Sequence, residues 1–221
     1  MDNVTKTYLL GENKINGIVD VSLDINKGEF VSVIGPSGSG KTTLLNMIGC
    51  IDTPTEGTVE INGQCTRKMS DDSLSMLRGK SIGVIFQSFN LIPVFNVFEN
   101  VEYQIVINKQ KQKKHKEFVK DIIAKVGLEK HINHKPNELS GGQRQRVAIA
   151  RALVHMPELV LADEPTANLD SKTSQDILSL MHDIKNSLGT TFIFSTHDPD
   201  VVQHAERIFA LKDGSLRNYE N

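Results

Sequence analysis

The sequence has few cysteines, no long apolar run and no marked excess of either charge. Cys50 and Cys65 fit no metal-ligand or redox spacing, so neither a zinc site nor a disulfide framework is indicated, and a reducing compartment is the simpler setting. No uninterrupted apolar stretch approaches the roughly 18–20 residues that cross a bilayer. The opening residues, Met1–Lys6, lack the apolar core of a secretory leader. A cytoplasmic protein is therefore expected. Lys and Arg number 25 against 27 Asp and Glu, and a net charge of −2 gives no support for a general nucleic-acid binder, which carries a basic excess. Internal repeats and low-complexity linkers are missing as well.

What is present suits an ordinary folded protein. The 221 residues, 38% hydrophobic and 24% charged, suffice for one large domain or a core with a subdomain. One oddity is the basic stretch from Lys109 to Lys116. It reads as a solvated connection entering a polar helix start. A contact of Lys111, Lys113 and Lys114 with anionic lipid headgroups is the second reading.

Gly35-Pro36-Ser37-Gly38-Ser39-Gly40-Lys41-Thr42 satisfies the phosphate-loop pattern G-x-x-x-x-G-K-[ST] at every fixed position. The β-branched and aromatic run Glu29–Ile34 before it predicts a buried strand, and Thr43–Ile48 after it predicts the first turns of a helix. Strand, glycine-rich loop and helix start make an anion site, because backbone N–H groups and the positive helix end converge there. Glycine lets the backbone wrap a triphosphate without Cβ clashes. Lys41 can reach the terminal phosphates and the Thr42 hydroxyl can ligate Mg²⁺. Gly35, Ser37, Gly38, Ser39, Gly40, Lys41, Thr42 and Thr43 are thus the candidate phosphate-binding residues, and the chain is expected to bind a nucleoside triphosphate.

A second apolar strand, Leu159–Asp163, ends in adjacent carboxylates. Continuous apolar runs of this kind mark parallel strands buried on both faces, and in open α/β sheets ligands sit beyond the carboxyl ends of such strands. Asp163 is then placed to hold Mg²⁺, and Glu164 to orient and deprotonate an attacking water. Paired carboxylates at a helix start can instead serve the helix dipole. The preceding strand and the following Pro165 weaken that alternative. A third strand, Thr191–Ser195, leads to His197, whose imidazole can bridge a γ-phosphate, water and backbone. Alone, His197 would suit a cap or a core position. Beside these carboxylates, a γ-phosphate sensor is the stronger expectation.

Leu139-Ser140-Gly141-Gly142-Gln143 then opens another helix, with Ser140 as N-cap and Val147, Ala150 and Val154 at helical spacing. A second glycine-rich helix start is a second phosphate site that one chain binding one triphosphate has no evident use for. Each chain could offer this helix end to nucleotide held by another.

With these residues in place the sequence resembles the ATP-binding cassette family over essentially its whole length. Gly35–Thr42 looks like its Walker A motif, Leu159–Asp163 its Walker B motif, and Leu139–Gln143 its signature. Glu164 matches the catalytic glutamate, Gln87 the Q-loop glutamine, Asp170 in Ala167–Asp170 the D-loop, and His197 the switch histidine. Tyr8 falls where the family stacks an aromatic ring on adenine. The resemblance implies an α/β fold: a P-loop core with a mainly parallel sheet, an antiparallel β subdomain and an inserted α-helical subdomain. The core would be residues 1–88 and 155–221, and the helical subdomain 89–154. It further implies ATP and Mg²⁺ as ligands, with Thr42, Gln87 and Asp163 at the metal. Two chains would close head to tail, Ser140, Gly141, Gly142 and Gln143 of one meeting nucleotide on the other, and Asp170 communicating between them.

Phe86–Pro93 and Val97–Glu102 resemble the lipoprotein-release and macrolide-export subclass. That likeness implies a separate membrane permease with a large extracytoplasmic domain, and a cassette peripheral to the inner face of the membrane through it. Phe89, Leu91, Ile92 and Phe95 lie where the family meets a coupling helix of its partner, and are expected to divide between internal packing and that contact. Regulation of a cell-envelope or division complex, without transport, is the alternative function. Two departures stand out: the chain starts almost at Val4-Thr5-Lys6-Thr7-Tyr8, implying a shortened first strand, and it stops soon after Lys212-Asp213-Gly214 rather than running into a membrane domain. Only about 98 positions separate Lys41 from Leu139, without sustained heptads, which argues against a chromosome-maintenance ATPase with its long coiled coil. A single cassette argues against a translation factor, and the presence of Glu164 and His197 against an inert binding module.

Overall fold

A computed structural model of the chain describes residues 1–108 and 114–217. The chain opens with an antiparallel hairpin, β1 (Asp2–Leu10) and β2 (Asn13–Val21). Strand β1 runs nine residues and pairs with β2 on one edge and with β4 (Glu56–Thr58) on the other. Its Val, Thr and Tyr residues suit a pleated, half-buried strand.

Between these strands come β3 (Phe30–Ile34) and α1 (Lys41–Ile48). After β4 the chain makes a short hairpin, β5 (Glu60–Ile61) and β6 (Gln64–Cys65), then α2 (Asp71–Ser81) and β7 (Ile82–Ile85). Three helices follow, α3 (Val97–Ile107), α4 (His115–Lys125) and α5 (Gly141–Leu153). The chain then alternates through β8 (Leu159–Asp163), α6 (Ser171–Leu188), β9 (Thr191–Thr196), α7 (Pro199–Val202), β10 (Arg207–Lys212) and β11 (Ser215–Arg217).

The main sheet has the order β11-β10-β3-β9-β8-β7. Strands β10, β3, β9, β8 and β7 run parallel, and β11 closes the edge antiparallel to β10. Period-2 alternation sends each strand into two cores. Phe30, Phe192, Phe194, Val160 and Ala162 face a core shared with α3–α6. Val31, Val33, Ile193 and Leu161 face another, shared with α1 and the β1–β2 hairpin. Every residue of β9 is buried, as a central strand covered on both faces requires.

The segment around α3–α5 is fixed by Asn100, which is 1% exposed. Its side chain accepts the Ile92 N–H and donates to the Ile92, Phe95 and Asn96 carbonyls. Asn96 and Glu99 cap α3 reciprocally. Phe89 and Leu91 pack against the first core, while Phe95 lies edge-on to Tyr103 at 5.8 Å. The basic stretch from Lys109 to Lys113, with Lys111 and Lys113, lies outside the described residues; Lys114 is exposed and precedes α4.

Candidate functional site

Parallel order brings the ends of β3, β8 and β9 side by side, with Asp163 directly opposite Ser195 in register. Beyond those ends lies a cleft of about 540 Å³ lined by Tyr8, Ser37, Gly38, Gly40, Lys41, Thr42, Thr43, Gln87, Asp163, Glu164 and His197. Residues scattered over the sequence as separate motifs therefore share one cavity. Ile15, Asn16 and Gly17 of β2 complete its wall.

The phosphate loop owes its shape to two glycines. Gly40 sits at φ 104 and Gly35 at φ 155. A Cβ on either would approach a backbone oxygen to 2.2 Å, that of Gly17 for Gly40 and of Leu211 for Gly35. Gly40 precedes α1 with no side-chain cap and no acidic residue in the first turn, so this helix start turns toward the cleft unblocked by the chain's own side chains. Lys41 is 7% exposed; its ammonium donates to the Gly35 and Pro36 carbonyls at 2.8 and 3.1 Å and lies 3.8 Å from Glu164. The buried Ser39 hydroxyl has no hydrogen-bond partner among the described residues.

The carboxylates have separate surroundings. Thr42 Oγ1 donates to Asp163 Oδ2 at 2.9 Å, and Ser195 Oγ donates to Asp163 Oδ1 at 2.5 Å. The same Ser195 hydroxyl accepts the Glu164 N–H at 3.0 Å. Glu164 adopts φ 49, a conformation that non-glycine residues occupy at a cost of about 1–3 kcal/mol and that concentrates at functional sites. His197 Nδ1 lies 2.8–2.9 Å from its carboxylate oxygens.

Ser140, Gly141, Gly142 and Gln143 do not reach this cleft. They open α5, where the Ser140 hydroxyl accepts the Gln143 N–H and the Gln143 amide oxygen accepts the Ser140 N–H, and Ser140 is exposed. Gly142 packs on α6 so closely that a Cβ would lie 2.5 Å from Thr173 Cγ2. Asp170 also stands apart: it caps α6, accepting the Thr173 N–H and hydroxyl at 2.9 and 2.7 Å. Those bonds, chiefly the backbone one, draw its carboxyl below the usual range.

The ABC transporter family model matches residues 18–167. The chain belongs to the ABC transporter family. It is 47% identical to the ABC transporter ATP-binding protein MJ0796 of Methanocaldococcus jannaschii, over 100% of this chain and 95% of that one. It is 41% identical to the macrolide export ATP-binding/permease protein MacB of Bdellovibrio bacteriovorus, over 98% of this chain but 33% of that much longer one. Its structure is similar, at TM-score 0.91 and 46% identity over 100% of this chain and 97% of the other, to a dimeric post-hydrolysis structure of the MJ0796 cassette bound to ADP and phosphate. This cassette is accordingly an ABC ATPase, with the mixed α/β fold anticipated from its motifs.

Some residues of this ABC site were not singled out by sequence reasoning. Ser195 links the two carboxylate positions, yet in sequence it is one more residue of an apolar strand, and only the β8–β9 register reveals it. Arg151 of α5 donates to the Phe89 and Asn90 carbonyls, and Asn168 donates to the Gln87 carbonyl at 3.0 Å. Phe89 and Asn90 take φ 60 and 49 in succession, and Arg151 binds their carbonyls across a separation of some sixty residues. No local pattern announces such a pair.

Proposed function

We propose that this cassette hydrolyses Mg-ATP in a site completed by a second copy and passes the resulting motion to a separate membrane permease. The observation that carries this reading is the division of parts: Lys41, Asp163, Glu164 and His197 share one cleft, whereas the Ser140 helix start points elsewhere and is exposed. We take residues 1–88 and 155–221 as the core and 89–154 as the helical subdomain that carries that second helix start.

The residues fit the ligands. The loop's two space-limited glycines, the Ser39 hydroxyl, unpartnered among the described residues, and the buried Lys41 ammonium make a cradle for polyphosphate. Thr42, Gln87 and Asp163 offer the oxygen donors that Mg²⁺ takes, and no group of three or more His, Cys, Asp or Glu forms a rival metal site among the described residues. When bound, the ion offsets negative charge on the β- and γ-phosphate oxygens.

In the proposed mechanism the loop N–H groups and Lys41 hold the β- and γ-phosphates. Glu164 orients water and takes its proton, and its backbone is held by Ser195 so that the carboxylate faces the cleft. His197, bonded to that carboxylate, steadies it and the transferring phosphoryl group. Tyr8 stacks on the nucleobase. Ser140, Gly141, Gly142 and Gln143 of the second copy close on the γ-phosphate, and Asp170 lies at the junction. Loss of the γ-phosphate removes the link and the pair reopens.

The permease contact is assigned to a groove of about 460 Å³ between the sheet edge and α3, lined by Ile82, Val84, Phe86, Ile92, Tyr103 and Ile107 among others. Of the four residues expected there, Ile92 lines the groove, Phe89 and Leu91 pack inward, and Phe95 braces Tyr103. Exposed Phe86, Tyr103 and Ile107 supply the apolar surface for a cytoplasmic helix of the permease. No helix among the described residues is long and apolar enough to cross a membrane, and membrane association is assigned to that partner, with lipid contact through the basic stretch as the alternative. A permease with a large extracytoplasmic domain completes the proposal. The test is light scattering of Glu164→Gln in Mg-ATP: a stable ATP-dependent dimer is expected, and a monomer at saturating ATP would rule out the shared site.

A further inference from the structure

Tyr8 reaches the cleft from a strand, yet its side chain is held largely by the loop that follows α1. Lys6 Nζ lies 2.5 Å from Asp52 Oδ1 and 2.9 Å from the Thr53 carbonyl, and sits over the Tyr8 ring, 5.1 Å from its centroid. The Tyr8 side chain lies near enough to the same Asp52 carboxylate to help lower its pKa, and that carboxylate accepts the Thr53 N–H at 2.7 Å. Burial pushes the Asp52 carboxyl up, but the bonds from Lys6 and Thr53, with the nearby Tyr8 hydroxyl, outweigh it and keep the group below its ordinary value. On the other side the ring lies close to Gly17, where a Cβ would come within 2.9 Å of Tyr8 Cε2 and of the Thr43 side chain.

The geometry points to Asp52 and Lys6 as positioning residues for the nucleobase, fixing the tilt of the Tyr8 ring relative to the phosphate loop. This rests on the reading of Tyr8 as the residue that stacks on the base. The link to the phosphates is α1 itself. Its first turn carries Lys41, Thr42 and Thr43, and Asp52 lies four residues past its last, Ile48. A rigid helix about 12 Å long therefore joins the phosphate ligands at one end to the ring's anchor at the other. Paired threonines keep the anchor in register with β1: the Thr55 N–H donates to the Thr5 carbonyl, and the Thr7 N–H to the Thr55 hydroxyl. An exposed ion pair would contribute little to stability. This one is shielded, the Lys6 side chain being 13% exposed, and its ammonium is shared between a carboxylate, a carbonyl and the face of a ring. Such an arrangement restricts orientation, because the cation over the ring face is itself anchored by Asp52 and Thr53.

Affinities for ATP and for inorganic tripolyphosphate, measured by calorimetry with magnesium on the whole chain, test this. Tyr8→Ala is expected to weaken ATP about 5- to 150-fold, the range of base stacking on an aromatic ring, and to leave tripolyphosphate within about twofold. Asp52→Asn and Lys6→Met are expected to weaken ATP about three- to tenfold, a fraction of that stacking effect, again sparing tripolyphosphate. Neither should add a further loss in the Tyr8→Ala background. Equal losses for both ligands would mean general damage and overturn the inference. If Tyr8→Ala alone is selective, the inference fails while the stacking role stands; if Tyr8→Ala leaves ATP affinity unchanged, both fall. Should Asp52→Asn not fold, Lys6→Met, which keeps the apolar stem over the ring, gives the same comparison.

Discussion

The two glycine-rich helix starts of this cassette look alike in sequence and differ in structure. At α1 the N-cap is Gly40, left-handed and without a side-chain cap, set beneath a cleft with Lys41 and the two carboxylates around it. At α5 the N-cap is Ser140, exposed, its end closed by a reciprocal bond pair with Gln143. An uncapped helix end inside a cleft is ready for an anion as it stands. A capped, exposed end gains an anion only when something carries that anion to it. On the proposed reading, the first site is assembled within one chain and the second waits for a neighbour.

The largest expected effect falls on the first region. Glu164→Gln should retain ATP affinity but slow steady-state hydrolysis roughly 10²–10⁴-fold, the usual contribution of a positioned base. Near-normal turnover, followed by phosphate release, would remove Glu164 from that role. Ser140→Arg sharpens the contrast: ATP affinity of the isolated chain should stay within about twofold while cooperative hydrolysis is lost, since only the second region is touched. Loss of ATP binding in this variant would show that the two regions are not separate.

Smaller effects follow. Ser195→Ala removes the hydroxyl that both carboxylate positions share and should cut turnover about five- to tenfold, the scale of one hydrogen bond, with little change in ATP affinity. Ile107→Glu, in the groove and away from every proposed nucleotide ligand, should leave basal hydrolysis unchanged and abolish co-purification with the permease. Smallest is a pH effect on stability. Burial lowers the pKa of His155, although its bond with the Ile82 carbonyl opposes this. The unfolded chain then binds the proton more readily, so stability falls as pH drops below the ordinary histidine value of 6.5. The melting temperature should decline through that range, and the decline should flatten in His155→Gln.

Much of this was legible because the chemistry is local. The phosphate loop, the Asp163–Glu164 pair and the Ser140 cap are each contiguous in sequence, and a strand or helix assignment places them. The sheet order was legible only in outline, since β3 lies between β10 and β9 and the hairpin that opens the chain pairs with β4. Contacts across long separations were not legible at all. Ser195 with Asp163, Arg151 with Phe89, and Lys6 with Asp52 pair residues whose neighbours in sequence give no hint of the partner. The hydrophobic run Phe89–Phe95 was ambiguous for a different reason: apolar side chains can pack inward or dock a partner, and of three half-buried residues only the contacts show that Phe89 and Leu91 pack on the core while Ile92 lines the groove.

The most direct test of the central claim mixes two inactive variants. Lys41→Ala lacks the phosphate loop's cation and Ser140→Arg blocks the second helix start, so each homodimer carries a lesion in both of its sites. A mixed dimer has one site with an intact loop facing an intact helix start, while its other site bears both lesions. Hydrolysis should reappear on mixing, with the rate following the product of the two concentrations and approaching one active site per mixed dimer. If hydrolysis stays absent while mixed dimers form, or if either variant hydrolyses ATP normally as a monomer, a site shared between two chains is contradicted.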